Sequence, residues 1–374
     1  MVAFGVFGAF WGGWAAAIPD LKEAVGASDS EFGLALLGVG VGALPAMLAM
    51  GPIYDRHGDR TTAPLLILFA ATALLPGIST SVPSLFAILI LLGAMSGMLD
   101  IAINAATTEW ESSSGRRLLN LAHASFSGFF LLSSVLVGLA RRAGTDHAAI
   151  LVCLAVIVAL AAPLNRVPRV GVRMRDEGRR LRLEPRFLML GALCGLAFVV
   201  EGGLESWSAV HLERTFEASP AVGGLGPGLF AAAMVTGRML GHVIEGHAGP
   251  RAILSTGSTL AAVGLAGAAA APTTAAALAG FVCAGLGTSV AAPTLFGLAG
   301  RGVTARQRGS AMSTVTTVAY LGFLLGPPMV GWISGASSLR IGLGFLAVAS
   351  VSLAVLSGLL ISRSSAFPRP PAPG

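Results

Sequence analysis

Apolar runs close to the ~20 residues that carry an α-helix across a bilayer recur along almost the whole chain, separated by short polar turns. Twelve can be marked, at 2–19, 32–53, 63–79, 84–107, 118–140, 148–164, 187–210, 221–241, 252–271, 273–297, 309–333 and 341–361. Glycine and proline are frequent inside them, as at Gly38, Gly40, Gly42 and Pro45. Small residues at such spacing let helix backbones approach where no hydrophobic force drives association. The longest polar stretch, 166–186, separates six spans from six. The expected fold is an all-α polytopic membrane protein, with twelve transmembrane helices in two pseudo-symmetric six-helix bundles. The domain plan is an N-terminal bundle over 1–165, an Arg-rich cytoplasmic linker over 166–186, a C-terminal bundle over 187–362 and a Pro-rich cytoplasmic tail over 363–374.

The halves echo each other. Trp11-Gly12-Gly13 matches Glu201-Gly202-Gly203, and Gly51 matches Gly241, both at an offset of 190. Leu131-Leu132 pairs with Leu324-Leu325 and Val137-Gly138 with Val330-Gly331 at an offset of 193. A nearly constant offset is the mark of parallel six-helix repeats. The loop from Gly241 to Arg251 reads as a degenerate copy, with one residue inserted, of the loop from Gly51 to Arg60.

Composition agrees with a lipid solvent: 54% of residues are hydrophobic and 11% charged, too little polar surface to cover a soluble globule of 374 residues. The net charge of +6 would suit nucleic acid, but its distribution decides otherwise. Eighteen of the 24 basic residues fall in loops on one face, eight of them from Arg166 to Arg186. Lys22, Arg141, Arg142, Arg214 and Arg340 lie on the other face, and Arg238 sits at a helix end. This positive-inside pattern puts both termini in the cytoplasm, with Arg141-Arg142 as its clear exception. No basic segment precedes the first apolar run, so 2–19 reads as a helix and not a cleaved signal, and a longer native start is compatible with it. Cys153, Cys194 and Cys283 lie inside spans without zinc-like spacing, and no metal site is expected.

Ionisable groups inside a span are costly unless paired or hydrated, which makes each one a functional candidate. Asp100 and Asn104 stand four apart on one face of the fourth span, with Asn104 near the depth of His123 on the fifth. Two readings stand: a proton relay, since imidazole titrates near ~6.5, and a hydrogen bond tying two helices together. Glu201 and Glu205 stack one turn apart on the seventh span, and two such carboxyls in low dielectric suit a coupling proton. For Glu205, beside Trp207, the alternative is a solvated interfacial acid. Trp11 and Trp14 offer flat faces and an N–H donor for a ring-shaped solute, against an alternative role in core packing. Asn104, Ser289, Thr294 and Tyr320 supply uncharged polar contacts, although Ser and Thr also bond their own backbone. Trp110 and Trp332 read as interfacial anchors.

The string Gly51-Pro52-Ile53-Tyr54-Asp55-Arg56-His57-Gly58-Asp59-Arg60 resembles the cytoplasmic loop signature of the major facilitator superfamily. On that resemblance it closes a tight, charged turn between two spans, its glycines permit close helix approach, and Gly51, Asp55, Arg56, Gly58 and Arg60, with Arg238, form a conformational latch. With Leu99–Ala105, His123–Phe126, Glu201–Ser208 and Gly322–Pro328, the chain resembles the fucose permease-like branch, in particular a group of uncharacterised bacterial inner-membrane members. The resemblance implies a central cavity lined by the first, fourth, seventh and tenth spans and opened to each side in turn. It also implies a monomer in a bacterial cytoplasmic membrane that moves a small-molecule substrate.

The single lysine, Lys22, belongs to no Gly-Lys-Ser/Thr phosphate loop, so the chain is not an ATP-driven pump by itself. No Ser-His-Asp set or His-Glu-x-x-His spacing suggests an enzyme, and no cofactor is expected beyond a proton as coupling ion. The expected function is proton-coupled symport of a small polar, sugar-like solute. Proton-linked export of a drug or metabolite is the alternative, with its Gly-x-x-x-Gly-Pro string displaced to the eleventh span at Gly322–Pro328.

Overall fold

The computed structural model describes residues 1–116, 118–165, 184–244, 248–301, 303 and 305–361, except the side chains at 112, 120, 242–244 and 305–310. The described residues form helices and no strand, the arrangement lipid demands, because each helix satisfies its own backbone hydrogen bonds. Among the described residues, ten stretches are long and apolar enough to cross a membrane. One of them, Asp29–Ile78, is two helices in succession, and the shorter His147–Ala161 adds another, which recovers the twelve apolar runs. Their outward residues are apolar: Leu160 is 64%, Met239 70% and Leu359 74% exposed, as lipid-facing positions should be.

The chain divides into two compact units, Met1–Glu177 with Ser206–Gly228, and Gly178–Glu205 with Leu229–Gly374. The first contains α1 (Val2–Ala24), α2 (Asp29–His57), α3 (Thr62–Leu74), α4 (Val82–Ser114), α5 (Leu119–Arg142) and α6 (His147–Ala161). To these it adds the end of α7 (Pro185–Phe216), all of α8 (Pro220–Gly223) and the start of α9 (Leu225–Ile244). The second holds the rest of α7 and α9, with α10 (Pro250–Ala270), α11 (Thr274–Thr288), α12 (Ala291–Ala299), α13 (Ala305–Ala336) and α14 (Leu339–Leu360). α2 begins with a capping box, in which the Ser28 amide donates to Glu31 Oε2 at 2.9 Å and the Glu31 amide to Ser28 Oγ at 3.3 Å.

Close crossings of small residues organise each unit, and the repeat seen in the sequence recurs in them. α1 crosses α5 where a β-carbon on Gly12 would overlap the Phe130 carbonyl. α7 crosses α13 at the matching pair, where a β-carbon on Gly202 would lie 3.2 Å from the Phe323 oxygen. Likewise Gly93 of α4 lies against the Val39 carbonyl of α2, and Gly285 of α11 against the Phe230 carbonyl of α9. Without a hydrophobic force between helices, such backbone contact is the main source of association.

Three elements differ from the sequence reading. α2 runs through Gly51 to His57, so the charged turn is only the 3-10 segment Gly58–Thr61. Gly58 supplies the turn with φ of 60°, a left-handed value that residues with a β-carbon resist. A β-carbon on Gly51 would meet no atom within 4 Å among the described residues, so Gly51 does not mark a close approach. The tenth apolar run is broken at Ser289-Val290, between α11 and α12. Pro293 explains the break: it has no N–H for the Ser289 carbonyl, and its ring crowds that group. The Arg-rich linker from 166 to 183, the tail from 362 and most of the degenerate second loop lie outside the described residues or side chains.

Gly12→Val is expected to lower the midpoint of thermal unfolding in detergent by several degrees, equivalent to ~1–3 kcal/mol of overpacking. Gly267→Ala, where a β-carbon meets no atom within 4 Å among the described residues, should leave the midpoint unchanged. Equal midpoints for the two variants would show that the α1–α5 crossing does not depend on a missing side chain.

Candidate functional site

In the second unit, α7 carries Phe198, Glu201 and Glu205 along one stripe, spaced three and four residues apart. Arg238 of α9 reaches this stripe, with Nη2 3.6 Å from Glu201 Oε1. Tyr320 of α13 packs edge-on against Phe198, with ring centroids 5.8 Å apart, and so stands along the Glu201 side of the helix. Glu205 interacts electrostatically with Glu201 and Arg238 but makes no hydrogen bond or ion pair among the described residues. Two carboxyls therefore share one guanidinium. Arg238, which the sequence reading grouped with the latch loop, has this contact with Glu201 of α7 as its ion pair among the described residues.

The break in the tenth run lies at the same level. A β-carbon on Gly237, next to Arg238, would overlap Ser289 Oγ, so α9 crosses the break one residue from the ion pair. Ser289 Oγ donates to its own helix backbone at Leu286 O, 2.7 Å away. Thr288 and Thr294 are buried, and their hydroxyls make no hydrogen bond among the described residues. The break that Pro293 opens thus carries a hydroxyl, Ser289, against α9 at the residue next to Arg238.

In the first unit, Asn104 Nδ2 donates to Asp100 Oδ1 at 3.0 Å and to Asp100 O at 2.9 Å, which joins the polar residues of α4. The exposed His123 of α5 sets its ring edge-on against Phe4 of α1, 5.1 Å between centroids. Trp14 is 4% exposed and stacks on Phe10 at 6.3 Å, inside a cluster with Phe7 and Phe69. Trp11 meets the same cluster through Phe7 and Phe10 but keeps part of its surface open. Of the two indoles, Trp11 is the one that can present a face to a solute.

Asp55, Arg56 and Arg60 are exposed around the 3-10 turn. The turn is anchored by a residue that the motif did not single out: buried Tyr54 donates to Glu109 Oε2 of α4 at 3.2 Å. Asp55 and Asp59 stand close enough to act electrostatically on Glu109, so the acidic side of the loop faces the end of α4.

Sequence reasoning missed a second ionic site, in the first unit. The Arg141 side chain of α5 is 1% exposed and grips carboxylates from two helices. Nε donates to Asp20 Oδ2 at 2.7 Å and Nη2 to Asp20 Oδ1; Nη1 donates to Glu213 Oε1 at 2.7 Å and Nη2 to Glu213 Oε2 at 2.9 Å. Nη1 also donates to Ala16 O at 2.7 Å, so all five guanidinium N–H groups are used. Beside it, Asp29 pairs with Lys22 at 2.9 Å and with Arg214. The two groups together hold three acids and three bases, in contrast to the unequal set around Arg238. Their signal in the sequence was the Arg141-Arg142 exception to the charge rule: an arginine on the wrong face is kept there by acids.

Among the described residues, no group of three or more His, Cys, Asp or Glu side chains is placed to hold a metal ion.

Comparison with known proteins agrees with this architecture. The model of the Major Facilitator Superfamily matches residues 1–303 and 206–374. An uncharacterized MFS-type transporter of Yersinia pestis is 32% identical over 364 residues, covering 94% of this chain and 92% of that protein. The membrane protein MosC of Rhizobium meliloti is 29% identical over 378 residues, covering 99% and 91%. Among solved structures, a variant of the nucleoside transporter NupG aligns with a TM-score of 0.81 at 12% identity, covering 96% of this chain and 98% of that one. The xylose transporter XylE of E. coli aligns with a TM-score of 0.74 at 13% identity, covering 97% of each. At those identities the structures speak for the fold, and the family match and the Yersinia relative for descent: this chain is a membrane-embedded, multi-pass transporter that belongs to the major facilitator superfamily.

Proposed function

We propose that the protein moves a small polar, sugar-like solute by proton-coupled symport, opening alternately to the two sides of a bacterial cytoplasmic membrane. The observation that carries the proton is the unequal set on α7 and α9. Glu201 has a cationic partner in Arg238, and Glu205 has neither a hydrogen bond nor an ion pair among the described residues. With both carboxyls ionised the three groups carry one net negative charge, and with one proton bound they are neutral. A neutral set is far cheaper to keep in a low-dielectric span. Glu205 is the proton carrier in this scheme, and Arg238 holds Glu201 as its charge changes.

A small polar solute is supported by the chemistry around that set. In the second unit Tyr320, Ser289 and Thr294 offer hydroxyls; the first unit, taken by itself, carries an amide at Asn104 and a flat apolar face at Trp11. Trp14 is assigned to packing. The named solutes of two fold neighbours, xylose and nucleosides, are polar ring compounds of this kind. Asp100 and His123 are assigned a supporting proton path. The charge distribution supports a cytoplasmic position for both termini and the 166–186 linker.

The test is external pH in lightly buffered proteoliposomes of the purified protein, on addition of a panel of sugars, nucleosides and amino acids. Solute-evoked alkalinisation is expected for the native chain and should fall at least about tenfold in Glu205→Gln, which fixes the set in its neutral form, while solute counterflow persists. Full alkalinisation in Glu205→Gln would remove that residue from coupling. Proton release on loading cationic dyes, with silence across the panel, would favour export. For the latch, Asp55→Asn is expected to lower turnover by about tenfold with solute binding within about twofold, and unchanged turnover would exclude it from the cycle.

A further inference from the structure

The first unit holds a cavity of about 230 Å³ at the end where α1 and α3 begin and α6 has just ended, with the last turns of α4 as its remaining wall. Two of its lining residues bring a buried polar atom that makes no hydrogen bond among the described residues: Thr62 Oγ1 and Asn165 Nδ2. Thr62 is 1% exposed, so solvent does not satisfy it either. The neighbouring threonines behave differently. Thr61 returns its proton to Gly58 O at 2.8 Å, and Thr107, on the cavity wall, to Ile103 O at 2.8 Å. Asn165 is held by its main chain, whose N–H is shared between Ala161 O at 3.1 Å and Ala162 O at 3.3 Å, and this leaves its side-chain amide unspent.

An unpaired buried donor is costly, so two at one cavity point to an occupant that supplies an acceptor oxygen. The rest of the wall fixes what carries that oxygen. Phe4, Ile103 and Ala106 make it apolar, and no charged side chain lines it among the described residues. Water alone suits such a wall poorly, because the volume is several times the ~30 Å³ share of one molecule and each molecule needs two to four polar partners. The fit is an uncharged oxygen acceptor on a hydrocarbon body. Access and depth agree on its source. Val2 and Leu164, at 43% and 68% exposed, make an apolar rim that faces lipid. α3 starts at Thr62 directly after the charged 3-10 turn, and Trp110 on the wall is an indole of the kind that anchors at the interface. This is the level at which the ester carbonyls of a bilayer lie.

We infer that this cavity is a lipid site, in which an ester carbonyl of a glycerophospholipid accepts from Asn165 Nδ2 and Thr62 Oγ1 while the first carbons of its acyl chain lie among Phe4, Ile103 and Ala106. A lipid held there touches α1, α3, α4 and the end of α6 at once, and so braces the helix that carries Asp100 and Asn104. The site lies within the first unit alone and does not rest on the transport reading.

The test titrates the full chain, purified in detergent and stripped of lipid, with dioleoyl phosphatidylglycerol or with its ether-linked counterpart, which keeps the headgroup and chains and lacks only the carbonyl oxygens. Bound lipid is counted by native mass spectrometry. The first equivalent is expected to bind about fivefold more tightly as the ester, and that preference should vanish in Thr62→Val and in Asn165→Leu. Equal affinity for both lipids in the native chain would overturn the site, and so would an undiminished preference in the two variants. Thermal unfolding separates binding from folding. Without lipid, Thr62→Val should match or exceed the native midpoint, since a methyl of the same shape replaces an unpaired hydroxyl. With the ester lipid at about a hundredfold over its Kd, the native chain should gain several degrees and the variant no more than the ether lipid gives. An equal gain in both chains would count against the site. Displacement of the ester lipid by equimolar methyl octanoate, a soluble ester, would show a free amphiphile to be the occupant and overturn the assignment to lipid.

Discussion

A charge inside a lipid-embedded helix needs a partner, and the described ionic sites differ in how completely that need is met. Around Arg141 and Asp29, three acids face three bases and every guanidinium N–H of Arg141 is used. Around Arg238, two acids face one base across a looser 3.6 Å contact. The balanced groups are suited to hold helices in place; the unbalanced one is suited to gain and lose a proton. The division of labour between structure and transport chemistry follows from this difference in charge count.

Backbone packing sets where those charges can stand. Close approach of α1 to α5 depends on Gly12, and that of α7 to α13 on Gly322, lacking a β-carbon, and the matching of Gly12–Phe130 with Gly202–Phe323 shows the repeat in both crossings. The units then diverge at one residue. Pro293 interrupts the tenth apolar run, whereas α4, which carries Asp100 and Asn104, is continuous over Val82–Ser114. The repeat therefore gives one unit an intact polar face and the other a break whose Ser289 hydroxyl meets α9 at the residue next to Arg238.

The latch loop shows how a motif can be read correctly in place and wrongly in shape. Gly51 to His57 looked like part of a turn because glycine, proline and charges cluster there, yet α2 continues through them. Proline within a helix costs one hydrogen bond, and near a helix end that cost is modest beside the packing of Tyr54 onto α4. Only Gly58, with its left-handed φ, ends the helix.

The chain alone determined the twelve apolar runs, the helical fold, the repeat and the stripe of Glu201 and Glu205, because each follows from local composition and helical spacing within a lipid solvent. Arg238 as the partner of Glu201, Asp20 and Glu213 as the partners of Arg141, and the burial of Trp14 rather than Trp11 were decided only by tertiary structure. Those pairings join residues as far apart as Asp20 and Glu213 in the chain, and linear spacing carries no information about which helices will meet. Where Arg141-Arg142 broke the charge rule, the sequence did record that something unusual was needed; which acids met that need depended on how α1, α5 and the end of α7 pack.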